Sequence, residues 1–267
     1  MIITIDGPAA AGKGTLAAIL ADKYHLAYFD TGMVYRAVGL EMRRKGLDRH
    51  DENAAEAIAR ELTFPKMIEL SKDPEFRSSE GGVAASVVSA HPKVRAALLK
   101  MQQDFALTPV FADGTPANGA VYDGRDTGTV VCPQADVKFF ITASTEIRAK
   151  RRFDELKAKG SDISFAKVLE DMEARDARDA NRAAAPMKPA DDAVIFDTSA
   201  LNITEVAVKA EEIIEAKLKK RFKRKKILEN LIFNCIKNLA LDGRVRCVYR
   251  NIQPRTSPFP LGNQAFF

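Results

Sequence analysis

The first twenty-one residues constrain the fold more than any other stretch of the chain. Met1–Asp6 is a short run rich in β-branched apolar side chains, which predicts a buried strand. The glycine-bounded segment Gly7–Thr15 follows at once, and Leu16–Ala21 then has the leucine and alanine content of a helix. A strand that enters a helix through a glycine-rich loop is the setting of a phosphate-binding loop. The sequence therefore predicts an anion site at the end of the first strand.

The chemistry of this loop follows from its residue types. Gly7 and Gly12 can adopt torsions that a Cβ would penalise, so successive N–H groups can turn towards an anion beside the helix N-terminus. Lys13 would reach the β- and γ-phosphates of a nucleotide, and the Thr15 hydroxyl would bind Mg²⁺. Gly14 stands where the usual pattern has serine or threonine, and the alternative is a glycine-rich turn with a solvated lysine. The loop residues expected to bind the donor phosphates are Gly7, Pro8, Ala9, Ala10, Ala11, Gly12, Lys13, Gly14 and Thr15.

Short apolar runs alternate with helical patterns along the 267 residues, which predicts an α/β fold with enough chain to bury a real core. Five such runs separated by helical sequence predict a doubly wound, five-stranded parallel sheet. The predicted strands are Met1–Asp6, Leu26–Asp30, Ala120–Asp123, Val137–Ala143 and Ala193–Ser199. A closing helix from Thr204 to about Lys220 is expected to be capped by Asn202 or Thr204.

Residues 51–106 have helical patterns and little strand character. Asp51–Leu62 is rich in alanine and glutamate, the sequence from Glu80 onward alternates small and apolar residues, and Val94–Phe105 is amphipathic. The stretch Phe64–Arg77 between them is polar, and its Asp73-Pro74 pair predicts a turn. We therefore expect a small helical subdomain over the sheet.

Polar residues follow the second predicted strand at its carboxyl end, where open α/β sheets bind their ligands. Thr31 comes directly after Asp30, and a helix that opens near Met33 carries Tyr35 and Arg36. Arg36 is therefore a candidate phosphate clamp. The alternative is a surface arginine on an amphipathic helix.

A second polar cluster follows the third predicted strand. Asp123, Arg125 and Asp126 stand within four residues that also include a glycine. Asp123 could bind Mg²⁺ or its hydration shell, as an acidic residue at a strand end does in many phosphate-loop proteins. Arg125 could bind a phosphate through two parallel hydrogen bonds. The alternative is a turn with a local ion pair.

Phe165–Ala185 is a strongly charged helical pattern. At helical spacing three guanidiniums and one carboxylate fall on a single stripe. These residues are Arg175, Arg178, Asp179 and Arg182. Such a stripe suits a lid that closes over phosphates and a ribose, and the alternative is a solvated helix with i,i+4 ion pairs.

The three cysteines, Cys132, Cys235 and Cys247, form no C-x-x-C pair and have no paired histidines nearby. A disulfide framework or a zinc site is therefore not expected, and a reducing compartment is. No charged leader precedes the first strand and no apolar run approaches ~20 residues, so a membrane span is not expected either. These features favour a cytoplasmic protein.

The net charge of +5 is unevenly distributed along the chain. Residues 219–267 contain twelve Lys/Arg and two Asp/Glu, whereas residues 1–218 contain 29 Lys/Arg and 34 Asp/Glu. A charge run over Lys219–Lys226 precedes an amphipathic helical pattern over 227–239, which could contact nucleic acid or an anionic membrane. The alternative is a basic helical extension that frays into a disordered end.

Five segments stand in a characteristic order and spacing. They are G-P-A-A-A-G-K-G-T, D-T-G-M-V-Y-R, D-G-R-D-T-G-T-V-V, A-S-T-E-I-R-A-K-R-R and R-D-A-R-D-A-N-R-A-A-A-P. Together they strongly resemble bacterial cytidylate kinases, which are nucleoside monophosphate kinases of the P-loop NTPase type. The resemblance covers residues 1 to about 218 and implies a helical nucleotide-binding insertion at about 37–106 and a lid at about 157–188. It implies that ATP, with Mg²⁺, phosphorylates CMP or dCMP.

The positions that match these motifs carry the family's roles. The resemblance implies that cytosine contacts Ser86, Arg95 and Asp126. It implies that the sugar contacts Tyr35, Arg175 and Asp179, and that the acceptor phosphate contacts Thr31, Arg36, Arg125 and Arg182. Lys13, Arg125, Arg178 and Arg182 would be the catalytic residues, with Arg178 facing the donor. Thr15 and Asp123 would serve the metal.

Two other functions stay open at this point. One is a kinase for another small acceptor such as UMP, and the other is a nucleotide-dependent switch with a nucleic-acid-binding tail. The charged stripe and the D-G-R-D segment favour an enzyme with an acceptor. Residues 63–79 are shorter than the corresponding part of many family members, where a small β-hairpin is expected. A monomer is expected because no pairing element is obvious.

Overall fold

The computed structural model describes residues 1–220 and residue 223, and it contains a five-stranded parallel sheet. The strands are β1 (Ile2–Asp6), β2 (Ala27–Asp30), β3 (Ala120–Gly124), β4 (Val137–Thr142) and β5 (Val194–Asp197). Their order is β2-β3-β1-β4-β5. Crossovers between parallel strands are right-handed. The connection from β1 to β2 runs along the sheet in one direction and the later connections run in the other, so helices lie on both faces. The predicted doubly wound sheet is confirmed.

The strand register brings three polar strand ends to one edge of the sheet. Asp6 of β1 lies opposite Gly124 of β3, and Asp30 of β2 lies opposite Asp123. Because all five strands are parallel, every segment that follows a strand emerges at this same edge. The loops that carry the candidate chemistry are therefore neighbours in space.

The helices follow the sequence pattern closely. They are α1 (Lys13–Lys23), α2 (Gly32–Arg44), α3 (Glu52–Glu61), α4 (Phe64–Leu70), α5 (Ser79–Val88), α6 (Pro92–Leu107), α7 (Thr145–Ala158) and α8 (Phe165–Asn181). A last helix begins at residue 203 and continues to residue 220. Asn202 caps it, because its Oδ1 accepts a hydrogen bond from Glu205 N at 3.0 Å while Glu205 accepts one from Asn202 N at 2.8 Å.

Helices α2 to α6 all lie between β2 and β3 in sequence and share one apolar core with the sheet. Phe29 of β2 stacks close to Phe105 of α6, with ring centroids 4.7 Å apart, and to Tyr122 of β3 at 5.3 Å. Phe64 at the start of α4 joins the same aromatic group, 5.5 Å from Phe105. This packing fixes the helical insertion relative to the strand ends that it covers.

The interpretation of Phe64–Arg77 as a polar stretch was wrong for its first half, whereas the turn predicted at Asp73-Pro74 coincides with the start of a 3₁₀ turn. Residues 64–70 form α4, whose first turn is capped by the Thr63 hydroxyl and contains a proline, and Pro74–Arg77 forms a short 3₁₀ turn. The helix buries Met67 and Leu70, and the turn buries Phe76 completely. Phe64, Met67 and Ile68 stand at the i, i+3 and i+4 spacing of a helix, so the sequence itself contained a signal for α4.

The charged helix α8 ends earlier than the stripe required. Asn181 is its last residue, and Arg182 adopts an extended conformation with φ −64° and ψ 141°. Arg182 is therefore the C-cap of α8, and the predicted stripe extends one residue beyond the last helical residue. Its φ is helical and its ψ is extended, so its side chain leaves the backbone in the direction of the stripe, while the chain after it turns away from the helix axis.

Residues Met1–Lys217 form one compact unit, and a second unit begins at Leu218. The expectations about the basic tail beyond residue 220 concern residues outside the described part of the chain, apart from residue 223. Within the described residues, no helix combines the length and the apolar character needed to cross a bilayer.

Candidate functional site

The glycines of the phosphate loop adopt the positive φ angles that the sequence predicts, which a residue with a Cβ would adopt only with strain. Gly7 has φ +141° and Gly12, the residue before α1, has φ +96°. A Cβ on Gly7 would lie 1.9 Å from the Ile141 carbonyl oxygen, so only glycine fits against β4. Lys13 is buried and donates from Nζ to the Pro8 carbonyl at 2.8 Å, which folds its side chain back over the loop.

Lys13 and Asp123 face each other across the base of the loop, with Nζ 3.8 Å from Oδ1. Burial lowers the pKa of Lys13 to about 8, and the charge of Arg125 adds to that shift. Burial also raises the pKa of Asp123 to about 6, against the attraction of Lys13. For both groups the loss of water outweighs the pairing, so the site holds two charges that a polyanionic ligand and a cation would each stabilise.

The backbone of the β2 end is fastened to the β3 end. Thr31 donates from both N and Oγ1 to the Asp123 carbonyl, at 2.9 and 2.8 Å. Asp30 accepts from Gly32 N at 2.9 Å and so opens α2. The Tyr28 hydroxyl lies 3.4 Å from Asp123 Oδ2. Two carboxylates, two hydroxyls and a helix start therefore lie beside the phosphate loop.

A buried carboxylate connects two arginines on the opposite wall. Asp126 forms an ion pair with Arg95 of α6 and a second one with Arg182, whose Nη2 lies 3.3 Å from Oδ1. The Arg95 guanidinium also lies over the Tyr35 ring, 5.2 Å from its centroid. Ser86 of α5 is buried nearby in the same cavity. These buried groups offer hydrogen-bond donors and acceptors on one wall of the cavity.

Asp179 of α8 is the second buried carboxylate with several arginines. Its Oδ2 lies 3.0 Å from Arg125 Nε and 3.9 Å from Arg175 Nε. Burial alone would raise the pKa of Asp179, but Arg125, Arg175 and Arg182 hold it below its usual value. Arg175 Nε has no hydrogen-bond partner within the described residues although it is buried, so it is available for a ligand.

Arg178 takes a different direction from the rest of the charged helix. Its guanidinium is exposed, and its Nε donates to Ser86 Oγ at 3.3 Å, across the gap between α8 and α5. It lines a second cavity of about 350 Å³ that shares Ala9 and Ala10 of the phosphate loop with the main one. Arg178 therefore joins the charged helix to the helical insertion.

Most of the predicted site residues line one cavity of about 360 Å³. They are Ala9, Ala10, Gly12, Lys13, Gly14, Thr15, Thr31, Tyr35, Arg36, Ser86, Arg95, Asp123, Arg125, Asp126, Arg175, Asp179 and Arg182. The predicted residues outside this lining are Gly7, Pro8, Ala11 and Arg178. The lining residues that sequence reasoning missed are Asp30, Gly32, Arg77, Ala85, Ser89 and Gly124. Asp30 and Gly32 lie within the D-T-G-M-V-Y-R segment and Gly124 lies within the D-G-R-D segment, whereas Arg77 belongs to none of the five segments.

Asp6 is a further residue of the site region, and no sequence motif pointed to its role. Its buried carboxylate accepts from Thr127 N and Thr127 Oγ1, both at 2.8 Å, and from Gly128 N at 2.7 Å. Burial raises the pKa of Asp6, and these three hydrogen bonds oppose the rise. The strand that leads into the phosphate loop therefore holds the turn that follows Asp126.

A metal ion has a restricted choice of ligands here. No three His, Cys, Asp or Glu side chains of residues 1–220 and 223 come together as a metal cluster. Thr15 and Asp123 nevertheless line the cavity beside the phosphate loop and offer oxygen ligands, which Mg²⁺ prefers. The arrangement fits a cation that takes most of its ligands from phosphates and water.

Known proteins resemble this chain over most of its length. The sequence model of the family described as cytidylate kinase matches residues 3–217. A cytidylate kinase of Rhodospirillum rubrum is 52% identical over 220 residues, which is 82% of this chain and 100% of that protein. Cytidylate kinases of Rhodopseudomonas palustris and Methylocella silvestris are each 50% identical, over 81% and 80% of this chain and 96% and 93% of their own length. The chain belongs to the cytidylate kinase family.

Proposed function

We propose that this protein transfers the γ-phosphate of ATP to CMP or dCMP, giving ADP and CDP or dCDP. One observation carries the proposal: the phosphate loop and the buried Arg95–Asp126–Arg182 group line the same cavity. A donor with its phosphates on the loop and an acceptor with its base in the polar pocket would then occupy the same cavity. Family membership supports the same reaction.

The donor would lie on the phosphate loop. The loop amides, the N-terminus of α1 and Lys13 offer positive charge to its phosphates, and nothing acidic in the loop opposes them. Thr15 and Asp123 would hold Mg²⁺ with the phosphates. Bound there, Mg²⁺ would neutralise charge on the phosphate oxygens.

The acceptor would lie on the opposite wall. Cytosine needs partners for its exocyclic amine and its ring nitrogen, and Asp126, Arg95 and Ser86 supply both acceptors and donors. Because these groups are buried, a base that leaves them unpaired would be rejected strongly. The sugar would contact Tyr35, Arg175 and Asp179.

The reaction needs no protein base. The acceptor phosphate is already ionised at neutral pH, so one of its oxygens can attack the γ-phosphorus while the bond to the β–γ bridging oxygen breaks and ADP leaves. Arg36, Arg125 and Arg182, with Thr31, would hold the acceptor phosphate, and Lys13 and Arg178 would help to balance the charge. Catalysis then consists of alignment and electrostatic stabilisation.

Exclusion of water is the remaining requirement, because water would otherwise accept the phosphoryl group. Contacts from α8 to the other wall already exist: Asp179 with Arg125, and Arg178 with Ser86. We propose that α8 is part of a lid that completes these contacts when both nucleotides are bound.

ADP production from ATP and Mg²⁺, with single acceptors added, tests this function. CMP and dCMP should stimulate strongly, whereas UMP, AMP, dTMP and shikimate should not. Arg182→Ala should lower kcat/KM by roughly 100-fold or more. Arg60→Ala, an exposed change on α3, is the matched control and should leave the activity unchanged. Equal stimulation by every acceptor, or none by CMP and dCMP, contradicts the proposal.

We also propose a monomeric, cytoplasmic enzyme whose catalytic unit is residues 1–218. The buried thiol of Cys132 suits a reducing compartment. Sedimentation of the full chain at several concentrations tests the monomer. An acceptor-independent, salt-sensitive association with nucleic acid would instead favour a switch that acts through the basic tail.

A further inference from the structure

Arg77 differs from the other arginines of the main cavity. Six arginines line this cavity, and four of them pair with Asp126 or Asp179. Arg36 instead donates to two backbone carbonyls. Arg77 is exposed and, within the described residues, makes no hydrogen bond or ion pair. A guanidinium that lines a polar cavity without a partner has its donors available for a ligand.

The backbone of Arg77 is nevertheless held firmly. The neighbouring Phe76 side chain is completely buried in the core. Arg36 Nη1 donates to the Phe76 carbonyl at 2.8 Å and lies 3.5 Å from the Ser78 carbonyl. Its guanidinium therefore contacts the backbone on both sides of Arg77. A Cβ on Gly81 would lie 2.6 Å from the Glu75 carbonyl oxygen, so the first turn of α5 packs directly on this segment.

Two ion pairs fasten the same turn to α2. Arg44 Nη2 lies 2.5 Å from Asp73 Oδ2, and Arg43 pairs with Glu75. Asp73 and Glu75 thereby have partners on α2, which leaves Arg77 without a carboxylate from its own turn. A fixed backbone with an unpaired side chain is a preorganised ligand-binding group, because binding has only the side chain left to order.

The charge around Arg77 favours an anion. Burial lowers the pKa of Arg36. The negative charge of Asp30 opposes this decrease, and the positive charge of Arg77 adds to it. Burial raises the pKa of the Tyr28 hydroxyl, and Arg77 opposes that rise. Arg77 is thus close enough to act on both Arg36 and the hydroxyl next to Asp123. An anion between the Arg36 and Arg77 guanidiniums would relieve their mutual repulsion.

We propose that Arg77 binds the phosphate of the acceptor nucleotide together with Arg36, as a further substrate-binding residue of the reaction. This inference rests on the proposed function, because it takes a nucleoside monophosphate as the acceptor. Arg77 touches the phosphate and not the base, so it contributes to affinity for the charged group and not to the choice of cytosine.

Titration calorimetry with CMP, cytidine and ATP distinguishes a contact to the acceptor phosphate from a contact to the nucleoside or to the donor. The variants are Arg77→Ala, Arg77→Lys and the distant control Arg60→Ala. For Arg77→Ala we expect CMP affinity to fall about 10- to 100-fold, while cytidine and ATP affinities stay unchanged. Arg77→Lys should retain part of the CMP affinity, because it keeps the charge but loses the two-pronged geometry. Thermal unfolding should be unaffected, since the side chain makes no bond within the described residues.

Three results would overturn the inference. Unchanged CMP affinity in Arg77→Ala removes the phosphate contact. A parallel loss of cytidine affinity indicates a disturbed pocket, and a loss confined to ATP assigns Arg77 to the donor. In each case the native chain still binds CMP, so the proposed function stands. A native chain that binds neither CMP nor dCMP overturns the proposed function and the Arg77 inference together.

Discussion

Asp6 accepts hydrogen bonds from both the backbone N–H and the hydroxyl of Thr127, each at 2.8 Å, although the two residues are 121 positions apart. Asp6 directly precedes the phosphate loop, and Thr127 directly follows Asp126, which pairs with Arg95 and Arg182. One buried carboxylate therefore fixes the phosphate loop, which would bind the donor, relative to Asp126 and its two arginines, which would contact the acceptor.

Asp6→Asn should disturb the acceptor side more than the donor side. The new amide can keep an acceptor oxygen, but its NH₂ group must face one of the three donors that now surround Asp6. We expect the free energy of unfolding to fall by about 2 kcal/mol and the KM for CMP to rise more than the KM for ATP. Urea unfolding and steady-state kinetics measure both.

The surface variant Asp22→Asn is the control for this change and should behave as the native chain. Equal increases of the two KM values, or none, would contradict the idea that Asp6 positions the turn after Asp126.

The stability of the ligand-free protein should depend on Asp123 in weakly acidic solution. In the unfolded chain this carboxyl titrates near its ordinary pKa of 3.8, whereas burial raises the pKa of Asp123 in the folded state to about 6. The folded state thus binds more protons between these values, so the free energy of unfolding falls as pH rises from about 4 to about 6.

The Asp123→Asn variant should lack this decline. Relative to the native chain it should gain up to roughly 3 kcal/mol across the same pH range, as measured by urea unfolding at several pH values. If the stability difference between the native chain and Asp123→Asn stays constant from about pH 4 to about pH 7, Asp123 is not buried as an unstable charge.

The variants Gly7→Ala and Gly46→Ala distinguish the cost of a steric overlap from the cost of a positive φ alone. Both glycines have positive φ, but Gly46 has open space around its missing Cβ, whereas a Cβ on Gly7 would overlap the Ile141 carbonyl. Gly46→Ala should cost about 1 kcal/mol and keep full activity. Gly7→Ala should cost roughly 3 kcal/mol or more and abolish activity. Similar losses in both variants would contradict the packing of Gly7 against β4.

Arg178→Ala should lower kcat without lowering stability. The exposed Arg178 loses only its hydrogen bond to Ser86, which spans α8 and α5 at 3.3 Å. We expect kcat to fall about 10-fold or more while the melting temperature stays within 2 °C or so, because exposed substitutions rarely cost more than ~0.5 kcal/mol. Lys167→Ala, another exposed change on α8, is the control. A variant with native kcat would remove Arg178 from the lid's function.

A chain that ends at residue 220 should keep the activity of the full protein. The Rhodospirillum rubrum relative is matched over its entire length by 220 residues of this chain. Native kcat and KM values in the shortened chain would show that residues 221–267 are not needed for catalysis, as a catalytic unit of residues 1–218 requires. A large loss of activity would mean that the basic segment contributes to catalysis.

Local sequence was sufficient for the sheet and for the phosphate loop. Strand, glycine loop and helix follow one another without interruption from Ile2 to Lys23, so each torsional and apolar requirement is visible in neighbouring residues. The quoted motifs around Arg36, Asp126 and Asp179 were likewise readable, because they adjoin strand ends or a charged helix. Their convergence on one cavity follows from parallel strands, which emerge at one edge.

Other features depended on partners far away in sequence. The helix over residues 64–70 buries Met67 and Leu70 in a core made by other elements, which the short segment alone does not specify. Arg182 leaves α8 and pairs with Asp126, and Arg77 enters the cavity because Phe76 is buried and Arg36 holds the chain on either side. Sequence periodicity reports which residues share a face of one element. Which buried carboxylate a guanidinium meets, and which guanidinium is left without one, is decided only when the elements pack, since desolvation and pairing are properties of the assembled site.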